Sequence, residues 1–310
     1  MTGTPVISLK EVRKSYGNFE LGPVDLALEP GYVVAVVGPN GGGKSTLIRV
    51  LMNLIQPDSG ELELFGGTFP DDEVEIKRRI GYVPELSLGH DEMSAKSLGE
   101  FVSRFYPAWD RRLYEDRVKR LDIEPDRRFG ELSKGVQRRL VFALALATGS
   151  ELLLLDEPAA GVDPFARREM LEDISRFMND GEKTVVLATH VMEEVRRIAD
   201  YVVFLADGDF LGLHEKDALL EQWKTFWVER EPEEDVPGVV EVEGGSPVRL
   251  VSDSASVTAG ALSARNVPIL RSGALDLEEI LSHLMRRSKE GRFAASSVES
   301  RHEGRPGRGA

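Results

Sequence analysis

The stretch Gly38-Pro39-Asn40-Gly41-Gly42-Gly43-Lys44-Ser45-Thr46 combines the residue types needed to hold a triphosphate. Its glycines let successive backbone N–H groups curl around an anion without Cβ clashes. Lys44 is placed to reach β- and γ-phosphates, and the Ser45 hydroxyl to bind Mg²⁺. A second group lies far along the chain, where the apolar run Leu152–Leu155 ends in Asp156-Glu157. Adjacent side chains leave a strand in different directions. Asp156 can therefore serve a metal while Glu157 orients or deprotonates an attacking water. Together these residues offer hydrolysis of a terminal phosphate.

A third group, Leu132-Ser133-Lys134-Gly135-Val136-Gln137, opens a helix-like stretch that runs to Thr148 and is closed by Gly149. Ser133 is a natural N-cap. A hydroxyl, glycine N–H groups and a helix N-terminus also make a second anion site.

Elements that could position these groups follow from periodicity. The apolar run Val33–Val37 leads into the glycine loop, and Leu47–Leu54 reads as the helix after it, the context that a phosphate-binding loop requires. Val6–Lys10 and Val24–Leu28 read as an antiparallel edge sheet, and Glu61–Leu64 and Ile80–Val83 as further strands. Leu152–Leu155, Thr184–Ala188 and Tyr201–Leu205 are short continuous apolar runs, as expected of parallel strands covered on both faces. Helices over Pro164–Asn179 and His190–Ala199 separate them, with Pro164 suited to a first helical turn. This alternation predicts a doubly wound, mostly parallel α/β sheet. Two helices are expected between Ser97 and Leu121, with Phe101, Val102, Phe105, Leu113, Val118 and Leu121 as their apolar face.

Beyond Gly212 the pattern changes. Glu229–Glu243 holds seven acidic residues, one arginine and two prolines and reads as a linker or exposed edge. Val248–Val251 and Ser256–Thr258 read as short strands and Leu275–Met285 as an amphipathic helix. A nucleotide-binding domain over 5–222 and a small α+β accessory domain over 225–285 follow, with a disordered tail over 286–310.

The 310-residue chain is 41% hydrophobic and 30% charged, an ordinary globular balance. A net charge of -14 argues against sequence-independent nucleic-acid binding, which needs a basic footprint. The absence of cysteine removes disulfides, thiol catalysis and cysteine-bound zinc. The first residues lack the basic and apolar regions of a signal peptide, and no apolar run approaches the length of a membrane span.

In this order the segments resemble the ATP-binding subunit of an ATP-binding-cassette (ABC) transporter. Leu132–Gln137 is similar to that family's Leu-Ser-Gly-Gly-Gln signature, with Lys134 replacing one glycine and Val136 displacing the usual Gln. Ala160-Gly161-Val162-Asp163-Pro164 resembles the D-loop, Thr189-His190 the switch histidine, Tyr16 the adenine-stacking aromatic, and Ile80–Pro84 the approach to the Q-loop. The family's Gln is Glu85 here, a residue that can bind Mg²⁺ but cannot donate a hydrogen bond while ionised. Lys134, the stretch Tyr106–Asp110 and the stretch Asp276–Ile280 resemble the exporter-like ABC-2 group, which includes bacitracin-resistance and efflux ATPases.

The resemblance implies a P-loop ABC ATPase domain with an antiparallel β subdomain and an inserted helical subdomain over about 86–130. It implies ATP and Mg²⁺ as cofactors. Glu157, His190 and Lys44 would be catalytic. Tyr16, Gly38–Thr46, Ser133 and Gly135 would bind nucleotide, and Ser45, Glu85 and Asp156 the metal. It further implies a second ATPase subunit, identical or different, and a transmembrane permease, with the chain peripheral on the cytoplasmic face of the cell membrane. A soluble ABC ATPase of translation or repair is the competing expectation. The double cassettes, coiled coils and zinc insertions of those proteins are not seen in this sequence.

Overall fold

A computed structural model describes residues 4–86, 91–124 and 126–302. The chain divides into two compact units, Met1–Leu213 and His214–Ala310.

The first unit is built on a six-stranded sheet. Its strands stand in the order Asp209–Glu215, Tyr201–Ala206, Val33–Val37, Thr184–Thr189, Leu152–Asp156, Ile80–Val83. From Tyr201–Ala206 to Ile80–Val83 every neighbouring pair is parallel. Alternate side chains serve opposite faces, as strand geometry dictates. Val33, Leu153, Leu155, Val185 and Leu187 join a core with the helices Lys134–Ala147 and Pro164–Phe177. Val34, Val36, Leu152, Leu154 and Val186 join a second core with the helix Lys44–Leu51. Burial on both faces explains why these strands read as unbroken apolar runs.

The second core is closed by a four-stranded antiparallel sheet in the order Phe19–Leu28, Ile7–Tyr16, Ser59–Leu64, Gly67–Thr68. The first two strands are longer than their apolar cores suggest, because ladder pairing continues to Tyr16 opposite Phe19.

Between the sheets' segments lie the helices Ala95–Val102 and Arg111–Arg120. Residues 87–90 and 125 of the expected helical subdomain lie outside the described residues. Tyr114 is the buried contact here. Its hydroxyl donates to the Ala95 carbonyl at 2.6 Å, and a Cβ on Gly99 would meet its ring at 2.3 Å. Val102, Leu113, Val118 and Leu121 pack against the core as expected, but Phe101 and Phe105 do not. The first helix ends at Val102, and the two rings form an exposed edge-to-face pair instead.

The second unit has a four-stranded antiparallel sheet in the order Val239–Glu243, Val248–Ser252, Lys224–Val228, Ile269–Ala274. The acidic stretch expected to be a linker or edge thus ends in an edge strand. Ser256–Thr258, expected as a strand, is inside the helix Ala255–Ala264. Four alanines favour the helix, and Val257 points to solvent rather than into a sheet. The helix expected over Leu275–Met285 spans Leu277–His302, although sequence alone predicts disorder from Arg286. Arg286 pairs with Glu241 at 2.9 Å and Arg287 with Asp253 at 2.7 Å, holding its middle to the unit's strands and loops. Residues 303–310 lie outside the described residues.

The close approach of Gly38 to the neighbouring strand fixes the start of the phosphate loop. A Cβ there would lie 1.7 Å from the Leu205 carbonyl oxygen, so no side chain fits without moving backbone. Gly38→Ala should therefore cost more than about 3 kcal/mol of stability, read as a fall in denaturant midpoint.

Candidate functional site

Four parallel strands deliver the site. Val33–Val37 runs into the glycine loop, Ile80–Val83 into Pro84-Glu85, Leu152–Asp156 into Glu157, and Thr184–Thr189 into His190. Their registers pair Val37 with Thr189, Asp156 with Ala188, and Val83 with Leu155. The four ends are therefore level, and they form the crevice at the carboxyl edge where ligands bind in open α/β sheets.

Gly41 and Gly43 hold φ values of 79° and 109°, in the left-handed region that glycine adopts without strain. The helix Lys44–Leu51 follows at once and has no side-chain cap at its N-terminus. Its first N–H groups are left for an anion, which the helix dipole also favours. The buried Lys44 ammonium donates to the carbonyls of Gly38 at 2.9 Å and Pro39 at 3.1 Å, and stands 3.8 Å from a Glu157 oxygen.

Beside it is an oxygen-rich corner. The Ser45 hydroxyl lies 2.9 Å from Asp156 Oδ1 and 3.4 Å from Glu85 Oε2. Asp156 Oδ2 is buried and has no hydrogen-bond partner among the described residues. Burial pushes the Asp156 carboxyl up, against the hydrogen bond from Ser45. Burial and then the Asp156 charge push the neighbouring Tyr82 phenol up to about 12. Among the described residues no group of three or more His, Cys, Asp or Glu is arranged to hold a metal. Two carboxylates and a hydroxyl suit a cation that keeps waters and takes phosphate oxygens, as Mg²⁺ does.

Glu157 occupies a left-handed backbone position, φ 50°, which turns its side chain out of the strand line. Its carboxylate meets His190 Nδ1 at 2.9 Å. A carboxylate held between a lysine and a histidine can orient a water and polarise it.

A cavity of about 510 Å³ joins Asn40, Gly41, Gly43, Lys44, Ser45, Thr46, Glu85, Glu157 and His190. Asp156 reaches it through Ser45, while Gly38, Pro39 and Gly42 form the loop backbone behind it. Three expected residues are not brought in. Tyr16 is half-exposed under the Lys14 ammonium, and its hairpin partner Phe19 lines the cavity instead. Ser133 and Gly135 lie outside this cavity. Ser133 is exposed and caps its helix, accepting from the Val136 N–H at 3.3 Å. The buried Gln137 amide donates to the Phe129 carbonyl at 2.8 Å.

Phe19, Arg49 and Arg138 also line the cavity, and sequence reasoning missed them. Arg49 follows Ser45 by one helical turn, a spacing that could have flagged it. It stands 4.0 Å from Glu85. Arg138 carries no signal of its own. Its Nη1 donates to the carbonyls of Pro84 at 3.1 Å and Glu85 at 2.5 Å, and burial lowers its pKa.

The parallel sheet, uncapped glycine loop and converging carboxylates define a P-loop nucleoside triphosphatase. Comparison with known proteins narrows this. The model of the ABC transporter family matches residues 21–160. The chain is 32% identical over 252 residues to Nod factor export ATP-binding protein I of Rhizobium sp. (strain N33), covering 79% of each. It is 29% identical over 219 residues to the ABC transporter ATP-binding protein YtrB of Bacillus subtilis (strain 168), covering 70% of this chain and 75% of that one. A dimeric bacterial ABC transporter cassette superposes with a TM-score of 0.61 at 25% identity, covering 67% of this chain and 98% of that one. The ATP-binding subunit of another ABC transporter does so with a TM-score of 0.63 at 24% identity, covering 70% and 92%. The chain belongs to the ATP-binding subunits of ABC transporters and is an ATPase that drives transport. Among its described residues no helix is long and apolar enough to cross a membrane.

Replacing Lys44 by alanine removes the buried ammonium from the phosphate loop. The expected outcome is a loss of ATP affinity of at least about tenfold, measured by calorimetric titration, with the melting temperature little changed.

Proposed function

We propose that this ATPase powers export through a separate transmembrane permease, as one half of a head-to-tail dimer seated on the cytoplasmic face of the membrane. The observation that carries the reading is the separation of the phosphate loop from the helix start at Ser133. The phosphate loop, Glu157 and His190 share one cavity, whereas Ser133 and Gly135 lie outside it on an exposed helix start. In a head-to-tail pair, Gly38–Thr46 of one subunit and Ser133–Gly135 of the other would sandwich one ATP. Export is supported by relatives named for it, and a dimer by dimeric cassettes of this fold.

ATP binds the phosphate loop in open and closed states alike. The opposing Ser133 and Gly135 meet it only on closure, and only such differential contact can shift a conformational equilibrium. Moving a switch from 1:99 to 99:1 takes about 5.5 kcal/mol, which two γ-phosphates hydrogen-bonded across an interface could supply. Tyr16, exposed at the end of its hairpin, offers a face on which adenine can stack.

Lys44 would leave the Gly38 and Pro39 carbonyls to meet the β- and γ-phosphates. Glu157 would accept hydrogen from the attacking water, and His190, already 2.9 Å from Glu157, would hold the γ-phosphate. Ser45, Asp156 and Glu85 would hold Mg²⁺, and Asp156 Oδ2 has no other partner among the described residues. When bound, the ion supplies charge neutralisation at the phosphate oxygens. Hydrolysis splits the nucleotide's charge and lets the subunits part. The helical segment between Leu86 and Gly130 would receive the permease.

Glu157→Gln should keep ATP binding and reduce phosphate release by more than about a hundredfold. Retained turnover in that variant would mean that a group other than Glu157 activates the water. Glu85→Gln restores the amide donor that ionised Glu85 lacks. It should change how strongly the permease stimulates ATP turnover in reconstituted vesicles, while Mg²⁺-dependent ATP binding persists. Equal stimulation in both proteins would remove any role for the carboxylate in coupling.

A further inference from the structure

One buried carboxylate lies outside the cavity yet holds the loop that carries His190. Glu194, on the helix Met192–Ile198, is 3% exposed. The Thr189 hydroxyl donates to its Oε2 at 2.7 Å, and the same hydroxyl accepts the Val191 N–H at 3.0 Å. The residues on either side of His190 are thus tied to one carboxylate. A buried carboxylate is costly unless it is paired. Burial accordingly pushes the Glu194 carboxyl up, while the Thr189 hydroxyl and the Arg167 charge pull it down.

The second oxygen of Glu194 faces a different element. Arg167 Nε stands 3.6 Å from Oε1, and this Nε is buried with no hydrogen-bond partner among the described residues. At 3.6 Å the pair is not a hydrogen bond, and a shift of well under about 1 Å would make it one. Arg167 sits in the first turn of the helix Pro164–Phe177, where its N–H bonds the Asp163 carbonyl at 2.9 Å. The Asp163 carboxylate caps that helix through the N–H groups of Phe165 and Ala166. The helix start is therefore rigidly joined to the loop Ala160–Asp163. Phe165 beside it is 84% exposed, and the loop's Gly161 carbonyl lies against Gly135. A continuous set of contacts runs from Asp163 through Arg167, Glu194 and Thr189 to His190 and Glu157. It has one stretched link, Arg167 to Glu194.

We propose that Arg167 and Glu194 are positioning residues that couple the seating of a second cassette against Ala160–Asp163 to the placement of His190. The inference rests on the dimer reading above. Pressure on the loop would move the helix start, close the stretched pair and fix the Thr189–Val191 turn, so that His190 meets the γ-phosphate only when the partner is in place. The relay adds no group to the reaction. It acts on the rate after ATP has bound.

The test uses the full chain and three readouts: ATP turnover against protein concentration, ATP affinity by calorimetry, and thermal melting. Glu194→Gln keeps the acceptor for Thr189 and removes the charge that faces Arg167. It should lower kcat about tenfold and leave ATP affinity within about twofold. Arg167→Met should do the same, the double variant should be no slower than the slower single, and Arg167→Lys should recover part of the rate. Unchanged kcat in Glu194→Gln, multiplying losses in the double variant, or losses matched by weaker ATP binding and lower melting would each overturn the relay. A wild-type rate per subunit that does not rise with protein concentration would overturn the dimer reading and the relay with it. A concentration-dependent wild type beside an unaffected Glu194→Gln overturns the relay alone.

Discussion

The level ending of neighbouring parallel strands is the constraint on which this molecule depends. Thr184–Thr189 lies between the strand that feeds the phosphate loop and the strand that ends in Asp156. Because Val37 pairs with Thr189 and Asp156 with Ala188, a cationic loop, an imidazole and two carboxylates meet across a single sheet edge. A register slip of one residue would turn every side chain to the other face. The doubly buried sheet makes such a slip expensive, since Leu152–Leu155 and Val34–Val37 are sealed on both sides.

Onto that frame the sequence adds charge in opposition. Lys44 lies between loop carbonyls and Glu157, Glu85 between Ser45 and Arg49, and Glu157 between Lys44 and His190. Each acid faces a base or a hydroxyl, so the groups stay in place before any nucleotide arrives. Such preorganisation suits phosphoryl transfer, in which positioning and electrostatics supply most of the acceleration. Asp156 Oδ2 is the exception, a buried oxygen without a partner among the described residues, in a corner of hard donors. An unpaired buried carboxylate oxygen is costly, and a hard cation would satisfy it.

The limits of the sequence reading show in particular elements. Ser256–Thr258 read as a strand because Thr258 and Val257 are β-branched, but the flanking alanines and the exposure of Val257 belong to a helix. Phe101 and Phe105 looked like core because they are large and apolar. The helix stops before Phe105, and its buried face is carried by Ala95, Leu98 and Gly99. The helix continues past Met285 through Arg286 and Arg287, whose ion pairs to Glu241 and Asp253 join residues distant in sequence that no local pattern reveals.

Where chemistry depends on contiguous residues, the sequence alone was enough. The strand, glycine loop and helix around Lys44 and the apolar run ending in Asp156-Glu157 are local, because backbone conformation and strand alternation are set by near neighbours. The convergence of groups was decided by tertiary structure. Ser45 and Asp156, 111 residues apart, meet only because of the strand order. Arg138 reaches the Glu85 carbonyl, Phe19 replaces Tyr16 in the cavity wall, and Arg167 faces Glu194, each through packing between separate elements. Which strand lies between which others is a property of the whole buried sheet, and no single stretch of the chain carries it.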